Sequence, residues 1–330
     1  MANKPLYTIT EKAADYLAKI VETATKIEYG TEFKRNIRLH RKNRIRTVYS
    51  SLAIEGNTLT LDEVAAVIEG KRVAGKQADI KEVKNAYEAY DKILTFSPYS
   101  VKDFLKAHKL MTGGLLEESG KFRSGDVGVF DGDAVVHIGA RPQFVPRLIN
   151  DLFDWARKSE LHPVLKGAIM HYEIEIIHPF ADGNGRMGRL WQTLILANWN
   201  AIFAWIPMES VLYQERSQYY QAIESARSAN DSDVYIEFTL SAVLNSLTDQ
   251  EQHQDKHQDY LSETQGSILK ALEYGELSRK EIFAKIGISG DTRAFRRHIA
   301  PLLARGLIEM TVPDKPKSRL QRYRLTDSGR

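Results

Sequence analysis

Residues 178–189 read His-Pro-Phe-Ala-Asp-Gly-Asn-Gly-Arg-Met-Gly-Arg, and this stretch decides how the rest of the chain is interpreted. It combines an imidazole, a carboxylate, two arginines and a run of small residues. His178 can accept a proton near neutral pH. Asp182 is a hard oxygen ligand of the kind that Mg²⁺ accepts while it keeps most of its waters. Together these groups indicate phosphate chemistry.

The small residues Gly183, Asn184 and Gly185 allow successive backbone N–H groups to point into one concavity, which binds anions. Apolar residues recur at helical spacing after them, so we expect a helix to begin there with its N-terminus facing a phosphate. Arg186 and Arg189 are three positions apart on that helix and fall on one face. Two guanidinium groups so placed can bind neighbouring phosphates.

Other interpretations of this stretch fit the residues less well. A Walker A loop and an EF-hand both fail because the residues that define them are replaced here. His171, Glu175 and His178 share a helix face and could ligate a metal, although the usual zinc-motif spacings are absent. A plain turn with a solvated Asp and two surface arginines is the remaining alternative.

At every defining position the stretch matches the signature His-x-Phe-x-Asp/Glu-Gly-Asn-Gly-Arg-x-x-Arg, so the chain resembles the Fic family of AMP-transferring proteins over roughly residues 30–247. The resemblance implies transfer of AMP from ATP to a Tyr, Thr or Ser hydroxyl of a target protein. In that scheme His178 is the base, Asp182 holds Mg²⁺ and Arg189 holds the γ-phosphate. A Lys at position 185 would instead resemble the Doc branch, which transfers the γ-phosphoryl group.

The nucleotide contacts implied by the resemblance extend beyond the motif. Gly183 to Arg186 and Arg189 would bind the phosphates. Tyr219 and Tyr220 stand where the family often has paired tyrosines near the nucleotide, and we expect Tyr220 to contact it. Glu215 replaces an Asn that is common in that neighbourhood.

A second stretch, Ser51-Leu-Ala-Ile-Glu55-Gly56, matches the family's inhibitory helix pattern Ser/Thr-x-x-x-Glu-Gly/Asn. A carboxylate in the last turn of a helix opposes the helix dipole by about 0.3–1 kcal/mol, so Glu55 needs a cationic partner or full exposure. The resemblance implies that Glu55 pairs with Arg189 and blocks the γ-phosphate. We therefore expect Ser51 and Glu55 to be inhibitory.

Residues 127–138 alternate in a way that predicts a β-hairpin around an Asp-Gly turn. An uncovered hairpin edge can pair with an extended segment of a partner. The resemblance implies that this hairpin is the flap over the active site, and that Val136, His137 and Ile138 contact the target's main chain.

Composition places the chain among ordinary globular proteins: 330 residues, 43% hydrophobic, 27% charged, a net charge of +3 and no cysteine. The charge is too mild to indicate nucleic-acid binding from the total alone. The absence of cysteine excludes a disulfide framework and thiolate metal sites and is compatible with a reducing compartment. Without a signal core or a membrane-spanning run, we expect a cytoplasmic protein with no membrane partner.

The periodicity predicts a mainly α protein. We expect a helical N-terminal region (1–100), a catalytic core (101–247), a linker or exposed helix end (248–260) and a winged helix of three helices and two strands (261–330). The helix predicted over residues 31–55 carries a basic run, expected to be a solvated face. The predicted helices cover 8–27, 31–55, 61–68, 80–96, 101–111, 145–157, 163–177, a motif helix ending near 198, 217–227 and 234–247.

Basic residues concentrate between positions 296 and 324, where we count a local excess of six positive charges. Arg296, Arg297 and Arg319 would lie on the third helix and the wing, which suits contacts to a DNA backbone. A winged helix used only for protein contacts or for homodimerisation is the alternative. Two other functions are alternatives to AMP transfer. The protein could be a transcriptional regulator that uses its core as a nucleotide sensor, or it could remove AMP from proteins, with Glu55 positioning a water.

Overall fold

The computed structural model is mainly helical, as the sequence predicts. It describes residues 4–29, 36–131, 134–259, 263–304, 306–315, 318 and 320–326, and the side chains of 128–138 and 252–263 are outside the description. The main helices are α1 (Glu11–Tyr29), α2 (Ile37–Ile54), α3 (Leu61–Ile68), α4 (Gln77–Asp91), α5 (Val101–Thr112), α6 (Val145–Lys158), α7 (Pro163–Ile177), α8 (Asn184–Trp199), α9 (Met208–Gln214), α10 (Arg216–Ala229), α11 (Asp233–Asp259), α12 (Glu263–Leu272), α13 (Arg279–Lys285), α14 (Thr292–Ala294) and α15 (Ala300–Ala304).

The chain divides into two compact units, residues 1–252 and 253–330. In the first unit α7 and α8 form the centre, because α7 is buried on nearly every side and α8 packs along it. A helix that is apolar all round belongs in a core. Trp191 of α8 packs edge-on against Phe104, and Phe180 of the motif packs against the same ring. The motif is therefore anchored in an aromatic cluster of the unit's core.

The helix that carries Glu55 is bounded by recognisable caps. The Asn36 side chain accepts from the Leu39 N–H at 3.0 Å at its start. Gly56, with φ +90°, follows its last turn in the left-handed conformation that glycine adopts at little cost. The sequence prediction that Gly56 ends this helix agrees with the structure.

The prediction that the basic run of this helix is a solvated face is wrong for Arg44. Arg44 is 4% exposed, and its guanidinium lies 4.8 Å from the Trp205 ring centroid and 5.7 Å from that of Tyr90. Arg41, by contrast, is exposed and pairs with Glu69. Two aromatic rings from distant segments make Arg44 a buried stacking residue, which the sequence of α2 alone does not reveal.

A strand pair follows α5. Strands β1 (Gly128–Asp131) and β2 (Ala134–Ile138) pair antiparallel with an irregularity between Val129 and Phe130. The predicted hairpin is therefore present. The backbone of Val136, His137 and Ile138 lies on β2, and their side chains are outside the description.

Residues 248–259, predicted as a linker or an exposed helix end, continue α11 without interruption. The predicted boundary between 100 and 101 is not a structural break either, because α1, α2 and α4 share one hydrophobic core with α5 to α8. The helix continues because this stretch holds neither Gly nor Pro. Its polar composition alone does not distinguish a helix from a linker.

The second unit packs its helices on a small sheet. A five-residue π-helical segment, Phe295–Ile299, joins α14 to α15. Strands β3 (Leu277–Ser278), β4 (Ile308–Met310) and β5 (Arg322–Leu325) form an antiparallel sheet in the order β3-β5-β4, so the sheet has one strand more than predicted. Ile268, Phe283 and Leu302 are among its buried core residues.

Within the part of the chain that the structure describes, no helix is long and apolar enough to cross a membrane.

Candidate functional site

His178 stands where α7 ends. Its backbone N–H donates to the Ile174 carbonyl at 3.0 Å, and Pro179 prevents the helix from continuing. His178 then adopts a left-handed conformation, with φ +52°, that non-glycine residues rarely take. Strained backbone of this kind clusters at functional sites. Its Nδ1 lies 3.3 Å from the Glu175 carbonyl oxygen.

The loop after His178 is fixed by Asn184. The Asn184 side chain accepts from the Phe180 N–H at 2.8 Å and donates to the Phe180 carbonyl at 2.9 Å. Asn184 is 2% exposed, so its amide serves the loop. Of the groups of Asn184, only the backbone N–H therefore remains for the predicted contact with the nucleotide.

A buried histidine that sequence analysis did not single out supports the same loop. His108 stacks on Phe180, with ring centroids 3.6 Å apart, and its Nε2 lies 3.1 Å from the Asp182 carbonyl oxygen. Its Nδ1 accepts from the Gly120 N–H at 3.0 Å, so Nε2 carries the proton and donates. Burial lowers the pKa of His108 to about 4. The ring is therefore neutral and holds the Asp182 backbone in place at neutral pH.

The motif helix α8 begins directly behind this loop. Gly183 has φ +86°, and the first intrahelical bond runs from the Met187 N–H to the Gly183 carbonyl. The N–H groups of Asn184, Gly185 and Arg186 precede that bond, so the helix ladder does not use them. Such unused N–H groups and the helix dipole are what binds anions at helix N-termini, and they lie at the place where the sequence predicts an anion site.

Arg186 and Arg189 are both buried, and they pair with acids from different parts of the chain. Arg186 Nη1 lies 2.8 Å from Glu82 Oε1, and its Nη2 lies 2.7 Å from Asp182 Oδ2. Glu82, on α4, has no motif around it and was missed by sequence analysis. It fixes the Arg186 guanidinium against the Asp182 carboxylate.

Arg189 is held by the end of α2. Its Nη2 donates to Glu55 Oε1 at 2.7 Å and to the Ser51 carbonyl at 2.9 Å, and its Nε donates to Ser51 Oγ at 3.2 Å. Burial alone would lower the pKa of Arg189, but the Glu55 carboxylate raises it above its usual range. Nη1 of this 1% exposed residue has no hydrogen-bond acceptor among the described atoms.

A second carboxylate, Glu175, lies beside the same guanidinium. Burial would raise the pKa of Glu175, but its hydrogen bond with His171 and the Arg189 charge lower it below its usual range. Tyr219 bridges the group, because its hydroxyl lies 3.1 Å from Glu175 Oε1 and 3.0 Å from His171 Nε2. Since His171 Nδ1 also bonds Gln192, at 2.7 Å, both ring nitrogens are engaged within the protein.

These contacts argue against a metal site at His171, Glu175 and His178. No group of three His, Cys, Asp or Glu side chains in the described ranges is arranged to hold a metal ion. Asp182 is the acid of the motif that stays open to solvent, with a side chain 59% exposed. A single accessible carboxylate suits Mg²⁺, which completes its shell with waters and phosphate oxygens.

The glycine at position 185 marks how closely Glu55 approaches the helix. A Cβ built on Gly185 would overlap the Glu55 carboxylate and lie 3.0 Å from Arg189 Nη1 and 3.1 Å from Glu175 Oε1. The Glu55 carboxylate therefore covers the first turn of α8, where the anion site opens.

The other predicted residues are more scattered. The Tyr220 hydroxyl lies 3.5 Å from the Ile54 carbonyl, beside the end of α2, and Tyr220 is 43% exposed. Arg296 and Arg297 are exposed on the π-helical segment of the second unit. Arg319 lies outside the described residues.

Comparison with known proteins identifies the family. Residues 98–196 match the Fic/DOC family, and residues 265–326 match the C-terminal domain of proteins called filamentation induced by cAMP protein Fic-like. A protein adenylyltransferase Fic of Nematostella vectensis is 32% identical over 221 residues, which cover 61% of this chain and 49% of that protein. A protein adenylyltransferase Fic of Drosophila willistoni is 32% identical over 197 residues, covering 57% of this chain and 37% of that protein.

The chain thus spans half or less of the length of these curated relatives. It aligns along its whole length with a crystal structure of a Fic family protein from Desulfovibrio desulfuricans. The two are 41% identical with a TM-score of 0.74, over 99% of this chain and 100% of that one. The chain belongs to the Fic family.

Proposed function

We propose that this protein transfers AMP from ATP to a Tyr, Thr or Ser hydroxyl of a target protein, and that Glu55 holds this activity back. The observation that carries the proposal is the start of α8, where the N–H groups of Asn184 to Arg186 have no partner in the helix and the buried Arg186 and Arg189 guanidinium groups lie in the next turn. Unused N–H groups at a helix N-terminus beside fixed positive charge suit an anionic ligand. The relatives named protein adenylyltransferases support ATP as that ligand.

In this scheme the hydroxyl oxygen forms a bond to the α-phosphorus, the bond to the β-phosphate breaks, and pyrophosphate leaves. His178 takes the hydroxyl proton, a role worth about 10²–10⁴ in rate. The N–H groups of Asn184 to Arg186 and the Arg186 guanidinium stabilise charge that grows on the phosphates, whereas the predicted Gly183 N–H donates to Asp182 Oδ1 at 2.6 Å. Arg189 binds the γ-phosphate, and Tyr220 contacts the nucleotide.

The residues present fit Mg²⁺ as the metal, with Asp182 holding it. Its accessible Oδ2 is paired with Arg186 Nη2 at 2.7 Å, and a cation would replace that partner. When bound, Mg²⁺ supplies charge neutralisation and orientation of the phosphates.

The inhibition that we propose depends on the Arg189 guanidinium. While Arg189 donates to Glu55, its Nη2 is not available to the γ-phosphate. Phosphates bound without that contact would be displaced from the in-line arrangement that transfer requires. Ser51 assists, because its carbonyl and hydroxyl oxygens orient the guanidinium toward α2.

The proposal is tested by incubating the protein with ATP labelled at either the α- or the γ-phosphate. We expect the α-label to become covalently attached to protein and the γ-label to leave with pyrophosphate. His178→Ala should abolish incorporation of the α-label while ATP binding persists. Retention of the γ-label instead would indicate phosphoryl transfer and contradict the proposal.

A second function, DNA binding by a winged helix, is favoured by the exposed Arg296 and Arg297 in the second unit. The basic excess counted from the sequence is smaller in practice, because Arg322 lies 3.5 Å from Glu281 and Arg324 lies 3.4 Å from Glu276, two acids outside the counted range. Contacts to protein or a homodimer remain the alternative for this unit. Removal of AMP, the nucleotide-sensor role and a cytoplasmic location stay predictions.

A further inference from the structure

One buried arginine joins the hairpin to His178. Arg123 is 3% exposed. Its Nε donates to the His178 carbonyl at 2.7 Å, its Nη1 donates to the Gly125 carbonyl at 2.8 Å, and its Nη2 donates to the Ala140 carbonyl. Gly125 precedes β1 and Ala140 follows β2. A single side chain therefore binds both ends of the hairpin and the backbone of the candidate base.

Backbone hydrogen bonds also connect the two ends of the hairpin with each other and with the His178–Pro179 segment, and we call this region the junction. The Arg123 N–H donates to the Pro179 carbonyl at 3.0 Å, and the Gly139 N–H donates to the Val127 carbonyl at 3.1 Å. A Cβ built on Gly139 would lie 2.9 Å from Arg123 Nη2 and 3.3 Å from His178 Cβ. Gly139 is thus a position where the main chain passes close to both the guanidinium and the histidine side chain.

This junction matters because the His178 backbone is strained. A non-glycine residue in the left-handed region costs on the order of 1–2 kcal/mol. The hydrogen bond from Arg123 Nε binds the His178 carbonyl in the orientation that this backbone gives it. Bonds from a charged donor are stronger than neutral ones and can offset such strain.

We propose that Arg123 is a positioning residue: its guanidinium fixes the hairpin relative to His178, so that a hydroxyl on an extended peptide segment paired with the hairpin meets the imidazole at reacting distance. The consequence for rate rests on the proposed function, whereas the effect on His178 does not. A rigid three-way fork is needed, because a Lys ammonium is a point charge and cannot span three carbonyls in one plane. A misplacement of about 1 Å costs roughly 100-fold in such reactions.

The test compares Arg123→Lys and Gly139→Ala in a Glu55→Gly parent, with Gly266→Ala as the control. A Cβ at Gly266, in the second unit, meets nothing within 4 Å, whereas one at Gly139 crowds Arg123 and His178. Three quantities are measured on the full chain: incorporation of α-labelled AMP into the protein itself, the Kd for a non-hydrolysable ATP analogue, and the ¹H–¹⁵N resonances of the His178 ring.

We expect Arg123→Lys and Gly139→Ala to lower incorporation roughly 10- to 100-fold. The analogue Kd should stay within about threefold, equivalent to less than 1 kcal/mol. The His178 resonances should shift, and Gly266→Ala should match the parent in all three. Parent-like incorporation with unshifted resonances in Arg123→Lys, or an equal loss in Gly266→Ala, would overturn the proposal.

The two hypotheses fail in different ways. If the parent incorporates no more label than its His178→Ala derivative, the proposed function is wrong. The His178 resonances alone then decide the role of Arg123: a shift in Arg123→Lys supports it, and unchanged resonances reject it.

Discussion

The residues that build the site work by burial as much as by charge. Arg189 and Arg186 are 1% and 2% exposed, and each is oriented by acids or by backbone oxygens before any ligand arrives. A charge fixed in a poorly solvated place interacts more strongly with phosphate than an exposed one, because less water screens it. Burial also determines the role of His108, a neutral group. It keeps the ring uncharged while Nε2 donates to the Asp182 carbonyl.

His108 should make the stability of the protein depend on pH. The folded protein keeps this ring neutral until about pH 4, whereas the unfolded chain binds a proton near pH 6.5. Between these values the unfolded state binds more protons, so the free energy of unfolding should fall as the pH falls, by up to about 3 kcal/mol. Urea unfolding of wild type and His108→Gln at pH 7 and pH 4.5 measures the effect. We expect the wild type to lose more stability than the variant, and parallel losses in both would remove His108 as the cause.

At the scale of elements, the end of α2 lies against the first turn of α8. It presents Ser51 and Glu55 to Arg189, and it ends at Gly56 in a conformation that another residue would adopt only with strain. The sequence predicted the end of this helix, because a glycine after the last turn is a local signal, whereas the pairing of Glu55 with Arg189 was implied by the family resemblance. It did not predict Arg44 or Glu82, because their partners come from segments distant in the chain.

Gly56→Ala should weaken the contact between the end of α2 and Arg189. Left-handed strain of about 1–2 kcal/mol at this position favours fraying of the last turn of α2. A release of about 1 kcal/mol corresponds to a rise of about fivefold in AMP transfer. Gly70→Ala is the matched control, because Gly70 is also left-handed and also has nothing within 4 Å of its added Cβ, but it lies after α3. A rise of equal size in both variants would show that general destabilisation, not α2, is responsible.

At the scale of the whole molecule, the sequence predicted the helical class, the hairpin and the motif site, because each has a local pattern: helical spacing, strand alternation or a fixed run of residues. It did not predict α9 or β3, which are short and take their form from neighbours. In the polar stretch 248–259 the predicted helix end agrees with the structure and the predicted linker does not, because polar composition alone does not distinguish the two. His108 and Arg123 act through spatial neighbours and had no motif to mark them.

The second unit should bind duplex DNA through its exposed arginines if the winged-helix interpretation holds. Full-length protein with Arg296→Glu and Arg297→Glu should bind more weakly than wild type, with a shallower dependence on salt because fewer phosphates are neutralised. Lys84→Glu with Lys102→Glu, in the first unit, makes the same change in net charge and should leave binding unaltered. Equal loss in both double variants, or no binding by wild type at low salt, would favour protein contacts for this unit.

We propose that Glu55 restrains AMP transfer by occupying Arg189. The most direct measurement is the rate at which α-labelled ATP modifies protein, compared in wild type and Glu55→Gly at saturating Mg²⁺ and ATP. Removing the carboxylate leaves Arg189 Nη2 for the γ-phosphate, so we predict a rise of at least about tenfold, equivalent to about 1.4 kcal/mol in the barrier. Adding Arg189→Ala to Glu55→Gly should abolish the gain. Equal rates in wild type and Glu55→Gly would contradict the account.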